Sequence, residues 1–243
     1  MGRVIMSGIV PTLKAPSTGI LASALPVGST VKLMEGGTAV EYLVVNQGIP
    51  SNSNLYDASC DGTWLLRKDI YNNREWDTYG RGDYSISRIG VGYESLLNSL
   101  GKSIVKEVKI PYVKNRTGPV IMSGSNGLSC KSFSLSAIEI GATSAVITNL
   151  PVDGAKLTYF ETGNTASAMA KRITTYSNSP YDDKRWRWWT RTTYEADTYS
   201  VYSSDKGEVT EAIATVESGV RPAFILPSNA LFDKTTMILK GVT

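Results

Sequence analysis

Apolar and polar residues alternate over short stretches of the chain, and this period of two predicts β-strands. Residues 30–34 and 39–46 flank Gly36-Gly37, which predicts a β-hairpin with a glycine turn. Similar stretches predict further strands in five segments: residues 63–68, 133–136, 188–192, 199–203 and 220–226. The chain therefore has the pattern of an irregular β protein whose strands are separated by long loops.

Helical periodicity is confined to a few short segments. Residues 94–109 carry apolar side chains at mostly four-residue steps, which predicts one helix, or two short helices broken near Gly101, ending before Pro111. Residues 166–173 predict another short helix, and residues 137–141 predict a helical turn. With 22 glycines and 13 tyrosines, these patterns predict an α+β fold with irregular, mostly antiparallel sheets, two or so short helices and long loops.

The regular pattern divides the chain into three segments. Residues 1–26 are predicted as an extended N-terminal arm with scattered apolar residues, residues 27–232 as one domain, and residues 233–243 as a C-terminal tail. Two interpretations of the arm stay open. It forms a strand tied to its own domain, or it docks on a neighbouring subunit and anchors the protein in an assembly.

Composition excludes several kinds of chemistry. The chain has no histidine, so Ser-His-Asp and Cys-His catalysis are excluded, and it has no phosphate-binding glycine loop. Its net charge of +3 is too small to indicate a nucleic-acid partner. We expect no cofactor and no metal, because calcium takes about six or more oxygen ligands and the nearest acidic candidates form no convergent set: Asp57, Asp61, Asp182 and Asp183.

Cys60 and Cys130 are far apart in the sequence and have no metal-binding or redox spacing. Two free buried thiols and one disulfide both stay open, and we favour free thiols because a disulfide scaffold usually has more cysteines.

The N-terminus lacks a sustained apolar stretch, so we expect no signal peptide and synthesis in the cytoplasm. No window of about 20 apolar residues predicts a membrane span.

Spaced blocks of residues carry a resemblance to a known family. The most specific are Trp188-Trp189-Thr190-Arg191 and Gly219-Val220-Arg221-Pro222-Ala223-Phe224, within matches that run from about Val27 to Phe232. They resemble a domain family of phages, prophages and gut Firmicutes whose members end in Trp-Trp-Leu-Arg-Ser-Pro and Gly-Val-Arg-Pro-Ala-Leu. That family is similar to the C-type-lectin-like superfamily, which includes phage tropism determinants and the formylglycine-generating enzymes. Here Thr190, Thr192 and Thr193 replace the usual Leu, Ser and Pro.

The resemblance implies a C-type-lectin-like fold whose last strands contain five structural residues: Trp189, Arg191, Gly219, Arg221 and Pro222. A buried arginine in such a core must be fully hydrogen-bonded. The formylglycine enzymes work through a close pair of cysteines, whereas Cys60 and Cys130 lie outside both blocks, so we predict no enzymatic activity. The calcium-binding blocks of sugar-binding lectins, Glu-Pro-Asn, Gln-Pro-Asp and Trp-Asn-Asp, are absent from the chain.

Residues 184–203 interleave arginines, tryptophans and tyrosines, and three interpretations stay open. One is a nucleic-acid stacking platform, which the net charge and the resemblance disfavour. The second is structural, because alternation places Trp189 and Arg191 inward and Trp188 outward. The third is a binding surface, since tyrosines among small polar residues give large contact area at low entropic cost. We divide the segment between the last two and predict these ligand-binding residues: Trp186, Arg187, Trp188, Tyr194, Tyr199 and Tyr202.

These arguments predict a non-enzymatic phage virion protein, a capsid decoration or fibre protein or a tail adhesin, that displays its domain for ligand or host-surface binding. The expected partners are other virion proteins, contacted through residues 1–26, further copies of the chain in a homo-oligomer, and a host cell-surface ligand. Nucleic acid and membranes are not expected partners. The alternative is a bacterial ligand-binding or structural protein outside any virion, and capsid or tail genes beside this one would favour the virion.

Overall fold

The computed structural model describes residues 19–51, 53–76, 90–114, 120–193 and 199–243. Within these ranges the chain forms short, mostly antiparallel strands and two short α-helices, α1 (Ser99–Ile104) and α2 (Ala166–Ala170). Short 3₁₀ turns lie at Ala22–Ala24, Ser53–Leu55, Ala58–Cys60, Tyr93–Leu96 and Gly124–Asn126. The α+β class with mostly antiparallel sheets and few short helices is thus confirmed.

The strands of the described residues form three larger sheets and two two-stranded ribbons. In chain order they are β1 (Gly19–Leu21), β2 (Thr30–Glu35), β3 (Thr38–Gln47), β4 (Thr63–Arg67), β5 (Asn72–Glu75), β6 (Val108–Ile110), β7 (Tyr112–Val113), β8 (Ile121–Met122), β9 (Leu128–Cys130), β10 (Trp188–Thr193), β11 (Tyr199–Ser203), β12 (Val209–Ile213), β13 (Glu217–Val220), β14 (Ala223–Leu226), β15 (Ala230–Asp233) and β16 (Leu239–Val242). The ribbons pair β6 with β9 and β7 with β8.

The four-stranded sheet has the order β14-β4-β3-β2 and is antiparallel throughout. The turn between β2 and β3 confirms the predicted hairpin. Gly36 and Gly37 both have positive φ, which a tight two-residue hairpin turn requires of its central residues.

Both faces of the four-stranded sheet are covered by apolar residues. Along β4, Trp64 and Leu66 belong to the largest core cluster, whereas Leu65 belongs to a second cluster on the other face. Strand β14 repeats this pattern, with Ile225 in the first cluster and Phe224 in the second. The sheet therefore separates two cores, and β4 and β14 are apolar on both sides.

The five-stranded sheet has the order β12-β11-β10-β13-β5, with β10 and β13 parallel and the other neighbours antiparallel. Strand β10 is its middle strand, and all six of its residues are buried. Trp188 enters the largest core cluster, whereas Trp189 enters a third cluster with Trp76. The prediction that Trp188 faces outward is therefore wrong. Alternation marks an exposed face only where one face of a sheet meets water, and both faces of β10 are covered.

The third sheet is antiparallel and places β15 between β1 and β16. Strand β1 lies in the segment predicted as an arm, and Ala22 and Leu25, which follow it, are buried in the core. Strand β16 lies in the predicted tail. The packed domain thus extends beyond the predicted boundaries at residues 27 and 232, and this part of the arm is a strand tied to its own domain. Residues 1–18 lie outside the described residues.

The segment predicted as helical between residues 94 and 109 is only partly helical. Helix α1 begins after Asn98, whose side-chain oxygen accepts a hydrogen bond from the Gly101 N–H at 2.8 Å and so caps the helix. The helical segment breaks at this cap and not at Gly101, which lies inside α1. After the helix the chain enters β6, because Val108 and Ile110 are buried beside β9.

Two strand predictions are corrected. Residues 133–136 form no strand, and Phe133 makes only an isolated bridge to Ala223 among the described residues. Residues 137–141 form hydrogen-bonded turns, in which the Ile140 N–H donates to the Ser136 carbonyl as in one helical turn, but they form no regular helix. The strand predicted over residues 220–226 divides at Pro222, which has no N–H for a sheet, so β13 and β14 join different sheets.

Candidate functional site

Arg191 is the centre of a buried polar cluster beneath β10. Its guanidinium forms a bidentate ion pair with Glu139, with both N–O distances at 2.6 Å, and both side chains are almost fully buried. Its remaining N–H groups donate to three carbonyl oxygens, those of Pro111 (2.9 Å), Ser134 (3.0 Å) and Asp153 (3.1 Å). All five donors of Arg191 are therefore used, as expected for a buried arginine.

Three further side chains, those of Tyr56, Thr192 and Asp153, complete the cluster around Arg191. The Tyr56 hydroxyl donates to Glu139 at 2.9 Å, and the Thr192 hydroxyl donates to the Asp153 carboxylate at 2.9 Å. Burial raises the pKa of Asp153 to about 6, although the nearby Arg191 charge opposes the shift. The cluster joins β10 to segments distant in sequence and has no exposed member, so its role is to hold the fold.

Arg221 lies buried against Trp188, with its guanidinium carbon 4.6 Å from the ring centre. Its Nε and Nη2 donate to the carbonyls of Arg67 (3.1 Å) and Lys68 (3.0 Å). Its Nη1 has no hydrogen-bond partner in the described part of the chain, so the expectation of full hydrogen bonding is wrong for this arginine. Burial lowers the pKa of Arg221 to about 9, which leaves the group charged at neutral pH.

The other signature residues are also buried. Gly219 pairs with Trp188 across β10 and β13, and a Cβ at this position would lie 2.5 Å from the Ile70 side chain. Only glycine permits this close approach. Pro222 separates β13 from β14. All five residues predicted as structural are therefore inside the domain.

A third buried arginine, Arg172, is absent from the sequence predictions. Its five N–H groups donate to neutral oxygens, none of them a carboxylate: the carbonyls of Ile140, Glu161, Gly163 and Gly207 and the side chain of Asn164. Burial lowers the pKa of Arg172 to about 10. Its own carbonyl accepts a hydrogen bond from the Trp188 indole at 2.9 Å. Arg172 thus joins Trp188 to the turn between β11 and β12.

A pocket of about 140 Å³, which we call the aromatic pocket, is lined by three aromatic and two charged residues: Tyr181, Trp186, Arg187, Tyr202 and Asp205. Tyr181 is 51% exposed, and its ring centre lies 5.8 Å from that of Trp186. The Arg187 guanidinium lies over the Trp186 ring, 5.5 Å from its centre. Tyr202 packs edge-on against the buried Trp189 at 5.7 Å, so this wall of the pocket rests on the core.

One wall of the aromatic pocket is the loop of residues 176–186. The Tyr176 N–H donates to the Lys184 carbonyl (2.8 Å), and the Ser179 hydroxyl donates to the Arg185 carbonyl (2.9 Å), which closes the loop beneath Tyr181. The Trp186 indole N–H donates to the Asn73 side chain at 2.9 Å. These bonds fix the orientation of the Trp186 ring before any ligand binds.

The opposite wall is the turn between β11 and β12, which contains Asp205. The Ser204 hydroxyl accepts hydrogen bonds from the N–H groups of Lys206 (3.2 Å) and Glu208 (3.1 Å) within this turn. Arg172 donates to the Gly207 carbonyl at 3.1 Å from beneath. The turn is therefore held by the backbone and by a core arginine, which leaves the Asp205 side chain without a structural task.

The polar groups of the aromatic pocket are largely unused by the protein. Arg187 donates through Nε to the Glu217 carbonyl at 3.1 Å, and its two terminal nitrogens have no hydrogen-bond partner among the described residues. The same holds, within those ranges, for the Asp205 carboxylate and for the hydroxyls of Tyr181 and Tyr202. Ring surfaces with a few convergent polar groups are the usual composition of a small-molecule site.

Three of the six predicted ligand-binding residues come together in the aromatic pocket: Trp186, Arg187 and Tyr202. Trp188 does not, because it is fully buried beneath Arg221. Tyr194 lies outside the described residues, as does the side chain of Tyr199.

Sequence reasoning missed two pocket residues, Tyr181 and Asp205. Asp205 precedes Lys206-Gly207, a turn signal that places it between two strands. Tyr181 follows Pro180 in a polar loop, which predicts exposure. Neither signal indicates that the two residues meet.

A second cleft, of about 490 Å³, is lined by residues of both charges: Arg67, Asp69, Ile70, Thr175, Ser177, Asp183 and Lys184. Here the charged groups bind one another or the backbone. Arg67 pairs with Glu35 at 2.9 Å, Thr175 donates to Asp69 at 2.5 Å, and Lys184 donates to the Ser179 carbonyl. This cleft is larger than the aromatic pocket but offers fewer unpaired groups to a ligand.

The remaining reactive groups are the two thiols. Cys60 and Cys130 are buried and free, and burial raises the pKa of Cys60 to about 11 and that of Cys130 to about 12. Both are therefore protonated at neutral pH and are poor nucleophiles.

Across the described ranges, no group of three or more Cys, Asp or Glu side chains is arranged to hold a metal. None of the helices described is long and apolar enough to cross a membrane.

The family model for a domain of unknown function, DUF6273, matches residues 61–228, and the chain belongs to this family. The matched range begins just before β4 and ends just after β14. It therefore contains both signature blocks, the aromatic pocket and every member of the Arg191 cluster except Tyr56. No curated protein and no solved structure matches the chain.

Proposed function

We propose that this chain is a non-enzymatic structural protein of a phage particle and that its aromatic pocket binds a ligand on the host surface. The observation that carries the binding function is the pocket, which is lined by three aromatic side chains and by an arginine and an aspartate with unused polar atoms. Aromatic residues and arginine are the side chains that most often dominate binding energy at recognition sites. The complete lack of histidine and the protonated thiols support a binding role over catalysis.

The phage particle is proposed from the resemblance of the two signature blocks, Trp188–Arg191 and Gly219–Phe224, to a family of phages and prophages. On the same ground we propose that the irregular antiparallel sheets belong to the C-type-lectin-like class. In this proposal residues 1–18 precede the packed domain and contact other virion proteins or further copies of the chain. The domain then displays the aromatic pocket outward, as a capsid decoration or fibre protein or as a tail adhesin.

Phage particles test both parts of this proposal. We expect the protein in purified particles, detected by mass spectrometry. Particles carrying Tyr181→Ala with Tyr202→Ala are expected to attach to host cells at least about tenfold less well, because aromatic residues at a binding centre contribute about 2 kcal/mol or more. Tyr71→Ala is the matched control, since Tyr71 is 38% exposed but lies outside the pocket.

The outcomes separate the two parts. Absence of the protein from purified particles would contradict the virion assignment. Normal incorporation of the double variant with unchanged attachment would contradict the role of the aromatic pocket. Equal loss of attachment in the Tyr71→Ala particles would also contradict it, because the effect would then not be specific to the pocket.

A further inference from the structure

We infer that the aromatic pocket binds one neutral pyranose unit of a host-surface glycan. The rings of Tyr181, Trp186 and Tyr202 pack against the C–H face of the sugar, and Asp205 and Arg187 form hydrogen bonds with its hydroxyls. The inference rests on the proposed function, because it names the ligand class of the same pocket. The size, shape and charge of the pocket each support this class.

The size of the pocket limits the ligand to one small ring. Its volume is about 140 Å³, whereas pockets for drug-sized ligands have roughly 300–1,000 Å³. A cavity of about 150 Å³ in another protein holds one benzene molecule. The aromatic pocket therefore has room for one six-membered ring, and the substituents of a pyranose extend out of its open side. A dinucleotide or a bulky peptide segment does not fit within it.

The aromatic side chains present surfaces at several angles. The rings of Tyr181 and Trp186 are inclined by 46°, with centres 5.8 Å apart, and Tyr202 approaches from the β11 side. Tyr181 is half exposed, so much of its surface is free to pack on a ligand. Inclined rings give contact area to a puckered saturated ring, whose C–H groups are apolar.

The polar groups select a neutral ligand that both donates and accepts hydrogen bonds. The Asp205 carboxylate accepts, and the terminal nitrogens of Arg187 donate. The opposite charges of Asp205 and Arg187 largely cancel, so the pair gives no net attraction for an anion or for a cation. Hydroxyl groups match both partners, because each hydroxyl donates one hydrogen bond and accepts others. Bonds to these ionised groups are stronger than bonds between neutral partners.

The test uses the purified full-length chain with free methyl glycosides. The probes are methyl α-D-glucopyranoside, methyl β-D-galactopyranoside and N-acetyl-D-glucosamine, with choline and inorganic phosphate as charged competitors of similar size. Binding is measured by saturation-transfer NMR and by tryptophan fluorescence. We expect at least one pyranose to bind with a dissociation constant of about 1 mM, as small polar ligands of this size do, and neither charged probe to bind.

Variants locate the binding. We expect Asp205→Asn and Tyr181→Ala each to weaken pyranose binding about tenfold, and Tyr71→Ala, outside the pocket, to leave it unchanged. Thermal unfolding of each variant verifies that it is folded. Choline binding without pyranose binding would overturn the inference in favour of a cation cage. Pyranose binding that survives both pocket variants would overturn it as well.

The failure of this inference differs from the failure of the proposed function. Reduced attachment of the Tyr181→Ala and Tyr202→Ala particles, without binding of any pyranose probe, would leave the pocket as the binding site and reject the sugar. Unchanged attachment of those particles would reject the proposed function itself. Pyranose binding that is lost in the same variants supports both.

Discussion

The core and the aromatic pocket contain the same kinds of side chain. A tryptophan, an arginine and an aspartate occur in each, as three matched pairs: Trp188 and Trp186, Arg191 and Arg187, and Asp153 and Asp205. In the core, Arg191 uses all five N–H groups and the Asp153 carboxylate accepts from Thr192. In the pocket, the terminal nitrogens of Arg187 and the carboxylate of Asp205 have no hydrogen-bond partner among the described residues.

This difference teaches that residue type does not separate structural from binding residues here. Structural and binding residues differ instead in how many of their hydrogen-bonding groups are paired within the protein, and in where they lie relative to the sheet. The middle strand β10 has its tryptophans covered on both faces, whereas Trp186 lies just before the strand begins, at the pocket. The matched pairs give direct comparisons, because each substitution has a counterpart of the same type in the other region.

The arginine pair gives the largest expected effect. Arg191→Met leaves the Glu139 carboxylate buried without its counter-ion, and removing one partner of a buried ion pair costs about 3–5 kcal/mol. Arg187→Met removes one hydrogen bond to a carbonyl at the surface and is expected to cost about 1 kcal/mol or less. Urea unfolding, followed by tryptophan fluorescence, measures both.

A double variant shows whether buried charge is the cause of the loss. Adding Glu139→Gln to Arg191→Met neutralises the unpaired carboxylate, so we expect the double variant to be more stable than Arg191→Met alone. If it is equally unstable, the lost packing and carbonyl hydrogen bonds of Arg191 explain the effect, and the charge argument fails.

The tryptophan pair is expected to differ nearly as much. Trp188→Ala removes a fully buried ring on which Arg221 stacks, and such truncations cost about 3–5 kcal/mol. Trp186→Ala removes a half-buried ring and one hydrogen bond to Asn73, so about 1 kcal/mol is expected. Trp188→Phe keeps a ring beneath Arg221 and should lose less than Trp188→Ala. Equal losses in the two alanine variants, measured by urea unfolding, would remove the distinction between core and pocket.

Local signals were sufficient for part of this fold. The Gly36-Gly37 turn fixes the hairpin of β2 and β3, and the short apolar face after Thr165 agrees with α2, where Thr165 accepts a capping hydrogen bond. Each of these elements is determined within about ten residues. The hairpin and α2 can therefore be predicted without knowledge of the rest of the chain.

Contacts between distant segments account for what the sequence did not reveal. The outward orientation predicted for Trp188 failed because the neighbours of β10 in the sheet are not encoded in its own alternation. Arg172 gave no signal, since its acceptors extend from Ile140 to Gly207. Three of the five pocket residues were predicted from the interleaved aromatic residues and arginines, but Tyr181 and Asp205 join the pocket only through the packing of a loop against a turn.

The aspartate pair gives the smallest expected effect on stability, and this effect depends on pH. Asp153 has an ordinary pKa of 3.8, and burial raises it to about 6 in the folded chain. The folded state therefore binds this proton more tightly than the unfolded state does. As the pH rises from about 4 to 6, the unfolded state releases the proton first, and the contribution of Asp153 to stability falls. Above about pH 7 both states are ionised and the loss is complete.

Asp153→Asn removes this titration, so the free energy of unfolding of the variant, relative to the parent, is expected to rise between pH 4 and pH 7. The increase is at most about 3 kcal/mol. Urea unfolding at pH 4, 5, 6 and 7 measures it, with Asp205→Asn as the pocket control, expected to change stability at pH 7 by less than about 0.5 kcal/mol. A relative stability that stays flat or falls with pH would mean that Arg191 keeps Asp153 ionised, which would make the core carboxylate an ion-pair partner instead of a buried neutral acid.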